Sequence, residues 1–178
     1  AFRVLEQEGL LVRQGGRGFT VRPMSLDELA GAVEVRGVLE GLAARQAAER
    51  GVTSDTKEIL LLCLVQGDRL FEKGYVTEED LAEYHDINQR FHQAIVEASG
   101  NMAVDIALAR NSHMPFASVS ALAVDRDNLQ QEYRRFNFAH MQHHEAAEAI
   151  LLGLGARAES IMREHANVTL RYARLMQR

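Results

Sequence analysis

From residue 25 onward, apolar and polar residues recur with the spacing of amphipathic helices, and capping residues or glycines bound each stretch. The pairs Ser25–Glu28 and Thr77–Asp80 are capping boxes that predict two helix starts. The loops between the stretches are short, so helices that follow one another should pack antiparallel. The pattern predicts an all-α fold, an antiparallel bundle of about six helices. The first four predicted helices cover residues 25–50, 54–73, 77–99 and 101–113, and Pro115 should bend or break the fourth. Asp125 or Asp127 caps a fifth helix that reaches about residue 152. The last helix runs through His165 to Met176.

The first 23 residues have a different pattern. Residues 1–9 resemble the end of a helix, with Gly9 as its C-terminal cap. Residues 10–12 and 19–21 are typical of two short strands, and the glycines of "QGGRG" between them suit a hairpin turn. We therefore divide the chain into an N-terminal unit of residues 1–23 and a helical domain of residues 24–178. Because the chain begins at Ala1 inside a helical pattern, we expect that an upstream part is missing.

Composition supports a helical protein of the cytoplasm. The 178 residues are 47% hydrophobic but only 6% aromatic, and they include two prolines. A single cysteine excludes an internal disulfide and fits a reducing compartment. No apolar run approaches the roughly 18–20 residues of a membrane span, so no membrane partner is expected.

Charge is unevenly distributed along the chain. The first 22 residues carry a net charge of +2, from four arginines and two glutamates, whereas the whole chain carries −5, which leaves −7 for the remainder. A small basic head on an acidic body fits a nucleic-acid contact joined to a domain that does not bind nucleic acid. Four arginines on a solvated surface would give the same balance.

Four polar residues of the helical domain form a candidate metal site. Asn88 and His92 are four residues apart and share one helix face. His143 and His165 each lie ten residues, about 15 Å of helix, from the reversal at residues 153–155, so their imidazoles should be level on adjacent antiparallel helices. If the helix of His92 packs against that hairpin, three nitrogens and one oxygen converge. Such a donor set suits Zn²⁺, or Ni²⁺ and Mn²⁺ if water adds ligands.

Spacing by itself does not choose these four residues. His140 and His144 form a second pair four residues apart, and His85 lies about one turn before Asn88. Asp86 is another possible oxygen donor, although Arg90 at i+4 offers it a surface ion pair. A histidine on a helix is usually a surface or hydrogen-bonded residue.

Several stretches resemble a known family. The run "NQRFHQAIVEASGN" (residues 88–101) resembles the signature of the FCD ligand-binding domain in the FadR branch of GntR-type bacterial transcription regulators. "HHEAAEAILLGLGARAESIMREH", with its two histidines 22 residues apart, is similar to the second signature of that domain, and "EVRGVLEGLAARQAAERG" resembles its first helix. "AFRVLEQEGLLVRQGGRGFTVRP" is similar to the end of a winged helix-turn-helix, namely the last part of the recognition helix and the wing.

The resemblance implies a metal and an effector. The family's one Asp and three His ligands correspond by position to Asn88, His92, His143 and His165, with Asn88 in the place of the usual Asp. A neutral amide is a weaker ligand than a carboxylate, so the ion would keep its full charge and favour an anionic effector. Arg36 matches an arginine near the effector pocket and would clamp a small carboxylate. The alternative for Arg36 is an ordinary ion pair with Glu40 at i+4 or with Glu34 nearby. His140 and His144 are then surface or supporting residues.

The resemblance also implies DNA binding by a homodimer. The effector would shift the orientation of two DNA-reading heads, each with one helix in the major groove and a wing beside it. Arg3 would lie on the remnant of the recognition helix, and Gly16, Arg17 and Gly18 in the wing, with Arg17 the expected contact to the operator. Because most of the head is absent, this chain should bind DNA poorly or not at all.

Two other classes of function remain open at the level of sequence. Three histidines and an oxygen also describe a metal-dependent enzyme, of hydrolase type, in a helical bundle. Such sites need a general base beside the metal-bound water, and Glu145 and Glu164 flank ligand positions without facing the site. We therefore do not expect an enzyme. The third class is a metal-free helical interaction domain.

Overall fold

The computed structural model describes residues 2–7, 11–13, 15, 18–22, 25–112 and 124–168. Its N-terminal unit consists of α1 (Phe2–Gln7) and a two-stranded antiparallel sheet, β1 (Leu11–Arg13) and β2 (Phe19–Val21). Leu11 pairs with Val21 and Arg13 with Phe19. The expected hairpin is therefore confirmed. The Gly9 cap and part of the turn lie outside the described residues.

Six helices form the body of the molecule, as the hydrophobic pattern predicts. Their bounds are α2 (Leu26–Arg50), α3 (Ser54–Phe71), α4 (Glu78–Ser99), α5 (Met102–Asn111), α6 (Leu129–Leu151) and α7 (Gly155–Ala166). None of the helices in the described part of the chain is long and apolar enough to span a bilayer.

Capping residues account for most of the helix boundaries. Both predicted boxes are present: the side chains of Ser25 and Thr77 each accept a hydrogen bond from the N3 backbone, and the N3 carboxylates of Glu28 and Asp80 accept from the cap backbone. At the other end of α4, Gly100 adopts the left-handed conformation with φ 59°, which a residue with a side chain seldom adopts.

Three predicted boundaries need correction. Asn128, rather than Asp125 or Asp127, caps α6: its side chain accepts from the Gln131 backbone, whereas the Asp125 carboxylate accepts from the backbone of Asp127. α3 ends at Phe71, two residues before the predicted end, and α5 ends at Asn111. Pro115 and the predicted end of α7 at Met176 lie outside the described residues.

The helices close into a ring around one core. Going round it, α2 contacts α4, α4 contacts α3, α3 contacts α6, α6 contacts α7, and α7 returns to α2, while α5 packs on α2. The core combines alanines of α2, α6 and α7 with larger side chains of α3, α4 and α6. Among the largest fully buried side chains are Tyr84, Phe91, Phe136, Ile95, Ile150 and Met162, but also His140 and His143. The ring therefore encloses polar groups together with its apolar core.

Two glycines let α7 approach α2 closely. A Cβ atom at Gly37 would lie 3.1 Å from the Ala166 Cβ, and one at Gly41 would lie 2.9 Å from the carbonyl oxygen of Glu159. Both glycines face α7, four residues apart on α2. The backbone of α7 therefore occupies the space that larger side chains at these two positions of α2 would fill. This packing matters for the site because α7 carries His165.

Candidate metal centre

Three buried imidazoles from three helices meet inside the ring. His92 comes from α4, His143 from α6 and His165 from α7, and we call these three residues the inner cluster. The Nε2 atom of His165 lies 3.2 Å from the Nε2 atom of His92 and 3.1 Å from the Nε2 atom of His143. The three side chains are each at most 6% exposed, so water reaches them poorly.

The α6–α7 hairpin brings His143 and His165 level. The chain reverses at Gly153, which has φ 73°, and α7 then runs back along α6. Because each histidine lies ten residues from the reversal, equal lengths of helix return the second imidazole to the height of the first. The phenyl ring of Phe91 stacks on His143, with ring centroids 4.3 Å apart, and fixes the plane of that imidazole.

Asn88 lies one turn before His92 on the same face of α4, and it is 4% exposed. Its burial beside the inner cluster is what a ligand position requires, but its role as a ligand stays a prediction.

Two polar side chains orient the imidazoles from behind. The Nδ1 atom of His92 is 3.1 Å from Glu40 Oε1, and the Nδ1 atom of His165 is 3.2 Å from Gln142 Oε1. A carboxylate and an amide oxygen can only accept, so both Nδ1 atoms carry the hydrogen and donate it. The lone pairs of these two rings are therefore on Nε2, which is the atom that each ring turns toward the other.

This arrangement fits a bound cation. Two Nε2 lone pairs that face one another at 3.2 Å repel unless a positive charge lies between them. Burial, followed by the neighbouring histidines, holds the pKa of His143 well below its usual range, which disfavours a proton on that ring. Burial and the charge of His92 likewise lower the pKa of His165, against the opposing effect of Glu40. Both lowered pKa values favour the neutral imidazole, the protonation state that a metal requires of His143 and His165.

The distances are also those of a coordination edge. With metal–nitrogen bonds of about 2.05 Å, neighbouring ligand atoms are ~3.35 Å apart in a tetrahedron and ~2.9 Å apart in an octahedron. The two measured separations of 3.1 and 3.2 Å lie between these values. The donors present therefore fit a divalent metal of the zinc or nickel type.

Glu40 and Arg36 form a buried charged pair behind the inner cluster. The Arg36 Nε atom lies 3.7 Å from Glu40 Oε2, and its Nη2 donates to the carbonyl oxygen of Ala166 at 3.1 Å. Burial raises the pKa of Glu40, but the charge and hydrogen bond of His92, together with Arg36 and His165, outweigh it and lower the pKa to about 2. The expected alternative for Arg36, an ion pair with a glutamate, is thus present. Its effector role stays a prediction.

His140 and His144 lie on a different side of α6 and contact Asp68 of α3. The Nε2 atoms of His140 and His144 are 3.0 and 2.8 Å from the same oxygen, Asp68 Oδ1. His144 is half-buried, but His140 is 1% exposed, so of the two expected roles, surface or supporting residue, burial excludes the first for His140. The cause is Gly67, since a Cβ atom there would lie 2.2 Å from the His140 ring.

Of the residues expected to contact DNA, Arg3 is exposed on α1, and Gly18 is exposed with φ 101°. Gly16 and Arg17 lie outside the described residues. Arg13, on β1, pairs with Glu6 at 3.4 Å.

Sequence reasoning missed the residues that orient the imidazoles. Glu40 entered only as a possible ion-pair partner of Arg36, and Gln142 did not enter at all. Gln142 directly precedes His143, and Glu40 is 52 residues from His92. Glu40 contacts His92 and Gln142 contacts His165, and neither pair has a separation along the chain that a helical repeat would reveal. A polar residue on a largely apolar helix face was the available signal for Glu40.

The FCD domain model matches residues 32–168, more than half of the chain. This chain belongs to the FCD domain family. The match begins within α2 and covers all the residues of the inner cluster. The family resemblance found in the sequence is therefore confirmed.

Relatives and solved structures agree with this assignment. The FCD chain is 29% identical over 152 residues to the "Glc operon transcriptional activator" of Escherichia coli strain K12, and equally to that of strain O6:H1. The match covers 83% of this chain but 54% of the relative, so the chain spans about half the length of the curated relatives it matches.

Two solved structures share the fold. One is of Lar, described as controlling the expression of the Listeria monocytogenes agr system and mediating virulence. It has a TM-score of 0.63 at 18% identity and covers 97% of this chain and 77% of the other. The other is Streptococcus agalactiae GntR, with a TM-score of 0.59 at 18% identity and coverages of 96% and 78%. The structural likeness extends over the hairpin as well as the FCD body.

Proposed function

We propose that this chain is the metal- and effector-binding part of a DNA-binding transcription regulator of the GntR type. Its membership of the FCD family and its likeness to two transcriptional activators support a regulator. Because the chain spans about half of those relatives, DNA binding by the whole protein is part of the proposal. The proposal includes a homodimer that acts in the cytoplasm.

The proposed metal ligands are His92, His143 and His165, with the side-chain oxygen of Asn88 as the fourth. Zn²⁺ is the first choice for this donor set, and Ni²⁺ or Mn²⁺ would suit it with added water ligands. The observation that carries the proposal is that the Nε2 atoms of His92 and His143 lie 3.2 and 3.1 Å from the Nε2 atom of His165, while the Nδ1 atoms of His92 and His165 contact Glu40 and Gln142.

The proposed effector is a small carboxylate. When bound, a divalent metal supplies a double positive charge and open coordination positions for an anionic oxygen. All four proposed ligands are neutral, and the charges of Arg36 and Glu40 offset each other, so the site retains a net attraction for an anion. Arg36 is the proposed hydrogen-bond donor to the second carboxylate oxygen.

Control of DNA binding would require the effector to favour one arrangement of the two heads over another. In this proposal Arg3, Gly16, Arg17 and Gly18 belong to the end of each head, where the wing meets the operator. The chain contributes the regulated body, and the remainder of the head contributes most of the DNA contacts.

A metal-dependent hydrolase is less well supported by the same residues. Glu145 and Glu164 are exposed, and Glu145 pairs with Arg157. The buried Glu40 accepts a hydrogen bond from a proposed ligand, which suits a supporting residue better than a general base for water.

A thermal-shift screen of small carboxylates tests the proposal. The zinc-loaded chain should gain thermal stability from at least one carboxylate, and chelation should abolish that gain. Arg36→Lys keeps a charge beside Glu40 but loses the planar fork, so the gain should shrink strongly. Arg45→Lys, also on α2 and paired with Glu159, is the matched control and should keep it. A carboxylate effect that survives chelation, or that Arg36→Lys leaves unchanged, would contradict the proposal.

A further inference from the structure

A second group of metal-binding side chains lies on the outer side of α6. Asp68, His140 and His144 each offer one ligand atom, and these atoms all lie within 4.8 Å of one another. We call these three residues the outer cluster. It shares no residue with the inner cluster, although the rings of His140 and His143 are 6.1 Å apart. One turn of α6 thus carries histidines that face two different groups of donors.

The helices hold the outer cluster in a chelating arrangement. His140 and His144 are four residues apart on α6, so both rings project from one face. Asp68 reaches the same point from α3, with Oδ1 2.8 Å from one Nε2 and 3.0 Å from the other. Two rigid elements therefore fix three donors before any ion arrives, and such preorganisation favours binding.

Gly67 makes this approach possible. The imidazole of His140 lies against the backbone of α3 at the position that a Cβ atom of residue 67 would occupy, with three ring atoms within 2.7 Å of it. The absence of a side chain at Gly67 lets a buried ring reach the carboxylate of the next residue, Asp68. The ring edge of Phe71 and the ring of Tyr84 enclose His140 on its other sides.

Exposure and charge distinguish the outer cluster from the inner one. The side chains of His144 and Asp68 are 36% and 50% exposed, so a hydrated ion has direct access and can keep some of its water. The Asp68 carboxylate adds a negative charge, which the three imidazoles of the inner cluster do not have. Two imidazoles and one carboxylate are donors that suit Zn²⁺, Ni²⁺ and Cu²⁺.

We propose that Asp68, His140 and His144 form a second, solvent-accessible site for a transition-metal ion. Each imidazole would bind the ion through Nε2 in its other tautomer, with the hydrogen moved to Nδ1, and the ion would replace the two N–H···O hydrogen bonds. With three protein donors, about a quarter of a tetrahedral coordination sphere or about half of an octahedral one would remain water, so this site binds more weakly than a fully buried one. The FCD chain would then hold two ions of different affinity, on neighbouring faces of one helix.

Zinc titration of the whole chain, in competition with a chromophoric chelator, tests this proposal. The metal-free chain should bind two equivalents of Zn²⁺, one tighter than the other. His144→Ala and the isosteric Asp68→Asn should each weaken the second equivalent by at least about tenfold, the smallest loss usual even for a supporting residue of a metal site. Both positions are exposed enough for the variants to fold, which circular dichroism would check. His85→Ala, a half-buried histidine on α4 outside both clusters, is the control and should bind as the unmodified chain does.

The outcomes separate the two metal sites. Binding of a single equivalent that His144→Ala leaves unchanged would overturn the outer site, and so would two equivalents that both variants bind with unchanged affinity. A single equivalent that His144→Ala abolishes would support the outer site and count against the inner one. Visible absorption of the Co²⁺-loaded chain gives an independent readout, since loss of one imidazole at His144 should change the spectrum of the weaker site only.

Discussion

At the scale of single residues, the positions of the imidazole hydrogens decide what the inner cluster can do. An imidazole is a metal ligand only through a nitrogen that carries no hydrogen, and the partner of its other nitrogen decides which one that is. Glu40 makes this choice for His92 and Gln142 makes it for His165. A charged carboxylate in the core is costly to bury, and its contacts with His92 and Arg36 explain why the fold tolerates it.

Glu40→Gln should therefore weaken zinc binding by roughly 10–100-fold, the effect typical of removing a supporting group behind a metal ligand. The amide is a weaker acceptor for the Nδ1 hydrogen of His92, and its NH₂ group can compete for the position. Equilibrium titration against a chelator measures the change. Glu34→Gln, which alters an exposed carboxylate on the same helix, should have no effect. An unchanged affinity in Glu40→Gln would show that the carboxylate does not orient the ring.

At the scale of helices, the spacing between α2 and α7 sets the position of His165. Gly37 and Gly41 remove the side chains that would hold α7 away from α2, and Arg36 Nη2 ties α2 to the end of α7 at Ala166. A substitution on the α7-facing side of α2 should therefore shift the imidazole of His165 on α7.

Gly41→Ala tests this connection. Its Cβ atom would stand 2.9 Å from the Glu159 carbonyl oxygen and 2.7 Å from Arg163 Cγ, so α7 must move. We expect a loss of about 1–3 kcal/mol in the free energy of unfolding, together with weaker zinc binding. Gly31→Ala, on the same helix with open space around it, should instead stabilise by up to ~1 kcal/mol through helix propensity. Urea denaturation measures both, and equal effects would refute a role for close α2–α7 packing.

The N-terminus of α4 offers a test by pH. Asp80 accepts from the Thr77 backbone and pairs with Lys73. Burial raises the pKa of Asp80, but the contacts with Lys73 and Thr77 together outweigh it and lower the pKa below 3.8. A lowered folded-state pKa means that the stabilisation is complete above pH 3.8 and is lost as the pH falls through the folded-state value.

Asp80→Ala should thus cost about 1 kcal/mol at pH 7, the value usual for a lost helix cap, and progressively less below pH 3.8. Denaturation series at several pH values would show the two curves converging in acid. Asp86→Ala, on the exposed face of the same helix, should change the free energy of unfolding by less than about 0.5 kcal/mol. A constant difference between Asp80→Ala and the unmodified chain at all pH values would contradict the assignment.

At the scale of the whole molecule, the ring of helices converges on the inner cluster. α4, α6 and α7 supply its three imidazoles, while α2 supplies Glu40 and the glycines that seat α7. An ion bound there would link these helices, so metal binding and global stability should be coupled.

Chelation should therefore lower the melting temperature of the chain. An ion present at 100 times its Kd stabilises by ~2.7 kcal/mol, which for a chain of this size corresponds to about 5–10 °C. Scanning calorimetry with and without chelator measures the shift. His165→Ala should lose most of the difference, whereas His85→Ala should keep it. Equal melting temperatures with and without chelator would favour a metal-free domain.

Much of this architecture could be predicted from the chain alone. Local rules, acting over three or four residues, placed the two capping boxes, the glycine ends of α2 and α4 and the hairpin of β1 and β2. They were less successful where several polar residues competed, as at Asp125, Asp127 and Asn128. There the cap depends on which side chain the backbone geometry admits.

The sequence by itself determined most of the helix boundaries, the apolar faces and the equal distances of His143 and His165 from the reversal at residues 153–155, because helical rise is constant and glycine interrupts it. Only the tertiary structure decided that His92 of α4 joins them, that Glu40 and Gln142 direct the ring hydrogens, and that His140 turns instead to Asp68 across Gly67. These contacts join residues that no helical period relates. They arise from how the helices pack against one another, which the spacing within each helix does not encode.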